Sequence, residues 1–294
     1  MKEFNFTYGI THAGKFHADD IFATALCQLL NPVFTCKRVP RITDDMALTE
    51  GILIYDIGNG TYDHHNRETL QYRPNGIPYA AFGLLWKDFG YLLCEGIESV
   101  QEQVDQYLVS EIDGTDNGLE MNSLTRAINY LFPANDTSHD AIAIAFGKAV
   151  DFAREILSGA IAKSLKAYYD NQMIQNAISH AQNTNSKVLI FDEYVGMCEE
   201  IVNSDALFTL IPALRGGYNL TCIPKSMETR ENKIKFPEAW AGKESTEAVV
   251  ATGVPGTTFV HAGRFLAVAE TKEAALKLAE ITLEQASGAT SFFG

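Results

Sequence analysis

Asp63, His64 and His65 stand in a row in the stretch TYDHH, directly after the turn-forming Gly58-Asn59-Gly60. The chain has only seven histidines, and four of them, His12, His17, His64 and His65, fall within the first 65 residues. Acids accompany them. THAGKFHADD carries His12, His17, Asp19 and Asp20, the apolar run ILIYDI closes on Asp56, and EIDGTDNG holds Asp113 and Asp116. Carboxylate oxygen together with imidazole nitrogen suits Mn²⁺, Fe²⁺, Zn²⁺ or Co²⁺ better than calcium. Taken singly, each piece has a plain reading. Asp19 and Asp20 suit a helix start, Asp113 and Asp116 suit turns, and a lone His-His pair is incidental. Asp56 resists such a reading, because an acid that closes a buried strand must be hydrated or paired. The set as a whole points to a metal site.

These residues need elements to position them. FNFTYGI, residues 4–10, alternates apolar and polar as a strand does. From Ala18 to Leu30 the apolar positions Ile21, Phe22, Ala25, Leu26, Leu29 and Leu30 have helical spacing, stopped by Asn31-Pro32. Strands are predicted over 33–39 and 52–57, the second apolar enough to be buried on both faces. Strand, helix and strand in this order predict a parallel sheet wrapped by helices, with Asp56 and His12 at the carboxyl edge where such sheets place ligands. Further helices are predicted over 79–90, 97–113 and 121–131, then an almost unbroken one from about Ser138 to Ala181. After Asn183-Thr184-Asn185-Ser186 strands return at 187–192, 206–211, 218–223 and 257–269, and a final helix runs from a Thr271 cap to about Ala286. The expected fold class is α/β: an N-terminal parallel-sheet domain over 1–137, a long connecting helix over 138–183 and a smaller C-terminal α/β domain over 184–294. There is no internal repeat and no low-complexity tract.

Composition narrows the function. The 46% apolar and 20% charged fractions are those of a globular protein. No 18-residue apolar run is present, so no membrane span is expected, and MKEFNFTYGIT lacks a signal-peptide core. Five scattered cysteines without a Cys-x-x-Cys pair read as reduced thiols of a cytoplasmic protein. A net charge of -14 argues against a broad basic footprint for duplex nucleic acid. Small phosphoesters stay open, because metal ions reverse the sign of an acidic site.

The C-terminal half is expected to supply substrate groups. ALRGGYNLTCIPKS offers Arg215, Gly216, Gly217 and Lys225, and FVHAGRF offers His261, Gly263 and Arg264. A guanidinium fork and backbone N–H groups at glycines suit phosphate oxygens. His139 and His180, on the long helix, are assigned to surface or packing.

Asp63-His64-His65 after an aspartate-ended strand resembles the DHH phosphoesterase superfamily, which includes RecJ-like exonucleases, oligoribonucleases and manganese pyrophosphatases. THAGKFHADD, LIYDIGNGTYDHH, IPYAAFGLLW, EIDGTDNG, FPEAWAG and GVPGTTFVHAGRF resemble more closely the melanocyte proliferating gene family of DHH-like proteins, over residues 11 to about 265. The resemblance implies a two-metal phosphoesterase centre of His12, His17, Asp19, Asp56, His64 and one of Asp113 or Asp116. It implies that Asp56 bridges the ions, and that His65 sits at the rim facing substrate phosphate. Asp63 is placed to orient a histidine or the water. The wider superfamily spaces its first motif as His, three residues, Asp, one residue, Asp. This chain has His12, four residues, His17, one residue, Asp19, so an imidazole replaces a carboxylate and the loop is one residue longer.

The function expected from these readings is a metal-dependent phosphodiesterase, a 3′→5′ exonuclease on short RNA or single-stranded DNA. Two ions, Mn²⁺ foremost with Mg²⁺, Zn²⁺ or Fe²⁺ as alternatives, would activate water. The rival expectations are a small-molecule phosphoesterase or pyrophosphatase, and a non-enzymatic binding protein whose metal is structural. The sequence leaves the oligomeric state open.

Overall fold

A glycine is the second residue of the first strand, β1 (Tyr8–His12), for a steric reason. A Cβ on Gly9 would come 2.5 Å from Phe34 Cζ and 3.0 Å from Tyr55 Cε1, so the aromatic rings on either side close over bare backbone. The computed structural model describes residues 2–66, 70–229 and 231–288. Helix α1 (Ala18–Leu30) follows and is buried from Ala18 through Cys27; it ends where Asn31 N–H bonds back to Cys27 O. β2 (Thr35–Val39) pairs parallel to β1, then comes a short helix, α2 (Asp44–Leu48), which the sequence pattern did not announce. β3 (Ile52–Ile54) pairs parallel to the other side of β1, and the sheet order is β2-β1-β3. All three strands therefore deliver their carboxyl ends to one edge.

The strand expected at residues 4–10 begins only at Tyr8. Phe4 and Phe6 alternate because their rings pack with Phe89, at centroid distances of 5.2 and 6.4 Å, and not because they pair in the sheet. β3 is an outer strand whose Ile52 and Ile54 are half-buried, so in place of the expected burial on both faces only the face of Leu53 and the following Tyr55 is fully buried.

Helix α3 (Ala81–Leu93) packs on α1. Next, α4 (Glu98–Val104) runs through a π-helical turn at Asp105–Val109 into α5 (Ser110–Asp116), followed by α6 (Ser123–Tyr130) and the 46-residue α7 (His139–Thr184). Phe22, Leu26, Phe82, Trp86 and Val109 meet Phe146, Val150 and Leu157 of α7 in one continuous apolar core. Each such side chain, fully buried, is worth about 1.5–3 kcal/mol.

Two compact units divide the chain, Met1–Tyr168 and Tyr169–Gly294. In the second, β4 (Val188–Ile190), α8 (Glu199–Asn203), β5 (Phe208–Pro212), β6 (Tyr218–Cys222), α9 (Ser245–Thr252), β7 (Thr257–Val260), β8 (Leu266–Ala269) and α10 (Lys272–Ala286) follow in order. The sheet is mixed, in order β4-β5-β6-β8-β7, with only the β4–β5 pair parallel. Ala275, Leu278 and Ala279 of α10 pack with Leu210, Leu220 and Ala267, while Leu189, Phe191 and Ile223 pack with Ile174 and Ala181 from the end of α7. The fold is α/β with an N-terminal parallel sheet, a long helix and a C-terminal mixed-sheet domain. Among the described residues no helix is long and apolar enough to cross a membrane.

Candidate metal centre

The carboxyl edge of the β2-β1-β3 sheet carries the site. His12 is the last residue of β1. Just past β3, Tyr55 N–H still bonds to Ile10 O (3.1 Å), and Asp56 N–H reaches Tyr62 O (2.8 Å). That second bond folds the Gly58-Asn59-Gly60 turn back beside the strand and delivers Asp63 to His65. Asp56 itself has φ 55°, in the left-handed region that costs a non-glycine residue roughly 1–3 kcal/mol. Asp63 locks the returning segment. Its Oδ2 accepts from Asn59 N–H (2.6 Å), and its Oδ1 accepts from His65 N–H (3.1 Å) and lies 2.6 Å from His65 Nδ1. His64 turns inward and is buried, whereas His65 stacks on it at 4.6 Å with a side chain 59% exposed.

Three groups of ligand atoms converge here: His12, Asp20 and Asp56; Asp19, His64 and Asp116; and Asp56, Asp63, His64 and His65. His12 Nε2 lies 3.2 Å from Asp56 Oδ2 and 3.5 Å from Asp20 Oδ2. On the other side, Asp56 Oδ1 lies 3.6 Å from His64 Nδ1, and His64 Nε2 lies 2.9 Å from Asp116 Oδ2. Asp56 thus turns one oxygen to each side. His17 is more exposed; its Nδ1 is 3.7 Å from Asp116 Oδ1 and its ring 5.6 Å from that of His12.

Burial makes these charges costly. Desolvation pushes Asp20 up to about 7 against the pull of His12 and Arg38. It also drives Asp19 well above the usual carboxylate range, helped by the charges of Asp56, Asp116 and Asp113. Burial works to lower His12, but the bond to Asp56 and the charges of Asp20 and Asp56 outweigh it and hold the ring at about 9. Asp116 is part-buried, which works to raise it, yet its bond to His64 takes it below the usual range. Asp63, despite partial burial, is brought down to about 2 by His65 and the Asn59 and His65 amides, and Asp63 in turn raises His65. Among the described residues, Asp20 Oδ2, Asp56 Oδ1 and His64 Nδ1 are buried without a hydrogen-bond partner. Buried polar atoms of this kind need partners, and these converge with the oxygen and nitrogen donors that Mn²⁺, Fe²⁺ or Zn²⁺ take. The donor set fits a divalent ion.

The structure separates Asp116 from Asp113. Asp113 Oδ2 pairs with Arg73 Nη2 at 2.8 Å and its Oδ1 accepts Gly83 N–H at 3.1 Å, while Arg73 also forks onto Asp105 at 2.7 and 2.8 Å. A Cβ on Gly83 would fall 1.7 Å from Asp113 Oδ2, so that glycine lets α3 approach α5. Asp113 joins helices and belongs to none of the three ligand groups. Asp19 also serves the fold, since its carboxylate takes the Phe82 and Ala81 N–H groups at 2.7 and 3.1 Å at the start of α3. Asp20, which the ligand set implied by the resemblance omits, stands here with His12 and Asp56. The available signal was an aspartate in the first turn of a helix whose following turns are apolar on every side.

The C-terminal candidates lie in two places. Arg215, Gly216 and Gly217 form the β5–β6 turn, beside the Tyr218↔Ala269 end of the sheet. His261, Gly263 and Arg264 form the β7–β8 turn, and Lys225 follows β6, at the opposite, Thr221↔Leu266 end. The amide roles expected for the glycines are partly taken up: Gly216 N–H bonds to Ala213 O and Gly263 N–H to His261 Nδ1, both at 2.9 Å. Lys225 pairs with Glu231 at 3.2 Å. Arg215 borders a cavity of about 720 Å³ with Thr258, Phe259 and Leu266. His261 packs its ring 4.4 Å from Phe265. His139 and His180 are exposed.

Residues 9–283 match the model of a family described as an uncharacterised protein family, UPF0160. Relatives include a MYG1 exonuclease of Mus musculus, 24% identical over 325 residues that cover 94% of this chain and 84% of that protein. The MYG1 exonuclease of Homo sapiens is 24% identical over 94% of this chain and 86% of its own. A MYG1 protein of Chlamydia pneumoniae is 27% identical over 93% and 96%. No solved structure gives a significant match.

The two aspartates of α5 should respond differently to removal. Asp113→Ala leaves a buried guanidinium short of a partner and should lower unfolding stability by about 3 kcal/mol, with Mn²⁺ affinity retained in calorimetric titration. Asp116→Ala should weaken Mn²⁺ at least tenfold with little change in stability. The reverse pattern would exchange their roles. A pH series tests the electrostatics of the metal-free protein. Asp20 and His12 both hold protons more tightly folded than unfolded, so folding stability should fall as pH rises, through Asp20 from about 4 to 7 and through His12 from about 6.5 to 9. Metal needs deprotonated ligands, so the rise in Tm on adding Mn²⁺ should be larger at pH 8 than at pH 6. An equal rise at both would contradict this reading of the cluster.

Proposed function

The chain belongs to the UPF0160 family, and from that premise we propose that it is a metal-dependent phosphodiesterase, a 3′→5′ exonuclease on short RNA or single-stranded DNA. The observation that carries the proposal is the division of Asp56 between two donor sets, Oδ2 toward His12 and Oδ1 toward His64. Relatives named exonucleases support the reaction class. The five cysteines, all free, are in keeping with a reducing cytoplasm.

In this reading His12 and Asp20 hold one ion, Asp19, His64 and Asp116 the other, with Asp56 shared and His17 at the rim; manganese is the first choice. Two divalent ions, when bound, lower the pKa of water toward neutrality and offset charge on the attacking and leaving oxygens. The remaining work falls to the chain. Asp63, ionised down to about pH 2, fixes the His65 ring through Nδ1 and favours its protonated form. Nε2–H is then free to donate to a phosphate oxygen at the exposed rim. In the C-terminal unit, Arg215, Lys225, His261 and Arg264 are the groups assigned to substrate phosphates or the nucleotide end. Gly216, Gly217 and Gly263 shape the turns that present them. With a net charge of -14, the chain has little basic surface to track a long strand, which favours short substrates.

The test is a substrate panel with Mn²⁺: 5′-labelled single-stranded RNA and DNA, dinucleotides and pyrophosphate. Labelled strands should shorten stepwise from the 3′ end, a chelator should stop the reaction, and Asp56→Asn should abolish turnover with the fold retained. Hydrolysis of pyrophosphate alone would favour the small-phosphoester alternative. Intact substrates throughout, or an Asp56→Asn variant within a few-fold of wild type, would refute the proposal.

A further inference from the structure

Arg38 lies on β2 opposite Thr11, one residue before the end of the strand. Its guanidinium reaches over the carboxyl edge of the sheet, where Nη2 donates to Gly14 O at 3.1 Å and lies 3.6 Å from Asp20 Oδ2. The plane is held by aromatic faces, with Cζ 4.6 Å from the Phe146 ring centroid and 5.8 Å from that of Phe16. The side chain is 11% exposed, and Nε is buried without a hydrogen-bond partner among the described residues. A guanidinium so far withdrawn from water, with few partners, is expensive to keep.

Its contacts fall on the pieces that bear candidate ligands. Gly14, at φ 91°, is in the middle of the loop from His12 to His17. The neighbouring strand residue holds the same loop, through Ala13 N–H to Val39 O at 2.8 Å. Asp20 closes the circuit, since its Oδ1 accepts His17 N–H at 2.7 Å while its Oδ2 faces Arg38 and His12.

We infer that Arg38 is a positioning residue for the metal centre, a clamp that fixes the His12–His17 loop and the Asp20 carboxylate in the arrangement that receives an ion. The inference rests on the metal-centre reading above. Charge and geometry make opposite demands, which gives it a sharp test. On Coulomb grounds alone, removing a cation from beside a ligand carboxylate makes the site more negative and tightens a divalent ion. A lost clamp leaves the ligands in the wrong places and loosens it. Lysine keeps the charge but lacks the planar guanidinium that packs against the Phe146 and Phe16 rings and holds Nη2 in place.

Mn²⁺ is titrated calorimetrically into chelator-treated wild type, Arg38→Ala and Arg38→Lys, with thermal melts of the metal-free forms and kinetics on a labelled oligonucleotide at saturating Mn²⁺. Arg38→Ala should bind Mn²⁺ at least tenfold more weakly, Arg38→Lys should fall between it and wild type, and KM at saturating metal should stay unchanged. Equal or tighter Mn²⁺ binding by Arg38→Ala would overturn the inference, and so would a lower melting temperature as the sole effect. A raised KM with unchanged metal affinity would overturn it as well, making Arg38 a substrate contact. If Arg38→Ala does not fold, Arg38→Lys decides, and full affinity there overturns the clamp. A wild type that binds no Mn²⁺ removes the metal centre itself, whereas a wild type and variants that bind alike remove only the role of Arg38.

Discussion

Carboxylates gathered where water does not reach cannot all carry charge unless positive groups stand among them. Asp19, Asp20, Asp56 and Asp113 are each at most 2% exposed, and Asp116 is close by. Much of the first unit is arranged around that constraint. Asp113 is answered by Arg73, Asp19 by two amides at the start of α3, and Asp116 by His64. Asp20 and Asp56 are answered only in part, each keeping one buried oxygen without a hydrogen-bond partner among the described residues. Asp19 and Asp113 tie helices together, while Asp20 and Asp56 face one another across His12.

The same constraint accounts for local backbone choices. Asp56 accepts a left-handed conformation that aspartate tolerates better than most residues, because Tyr62 O and the turn behind it fix where the chain must go. Gly83 has no side chain because the Asp113 carboxylate occupies that volume. Parallel pairing on both sides of β1 brings His12 and Asp56 to one edge without a long loop. A carboxylate with one oxygen toward His12 and the other toward His64 is a natural outcome of that edge.

Much of this was legible in the sequence, and the reasons are physical. α1 shows from Ala18 to Leu30 because apolar spacing and Asn31-Pro32 mark it locally, and α7 shows because nothing interrupts it. Asp56 followed by Asp63-His64-His65 could be read as a site because an apolar strand ending in an acid is unusual. What could not be read were pairings between distant segments. Arg73 meets Asp113 across forty residues, Arg38 meets Asp20 across β2 and α1, and nothing local to either residue signals the partner. Asp20 looked like a helix-start acid because it is one, with its second oxygen turned inward. In the C-terminal unit, Arg215 and His261 appeared as one substrate set, yet antiparallel register sends their turns to opposite ends of the sheet. Phe4 and Phe6 mimicked a strand because aromatic packing on Phe89 imposes the same alternation.

The central claim is that Asp56 is shared between two cation positions at the carboxyl edge of the first sheet. The most direct measurement is anomalous diffraction at the manganese edge from crystals grown with Mn²⁺. Two anomalous peaks are expected, one within bonding distance of His12, Asp20 and Asp56, the other of Asp19, His64, Asp116 and Asp56, with none at Asp113. A peak at Asp113 and Arg73, peaks only in the C-terminal unit, or no peak at this edge with Mn²⁺ in excess would contradict it.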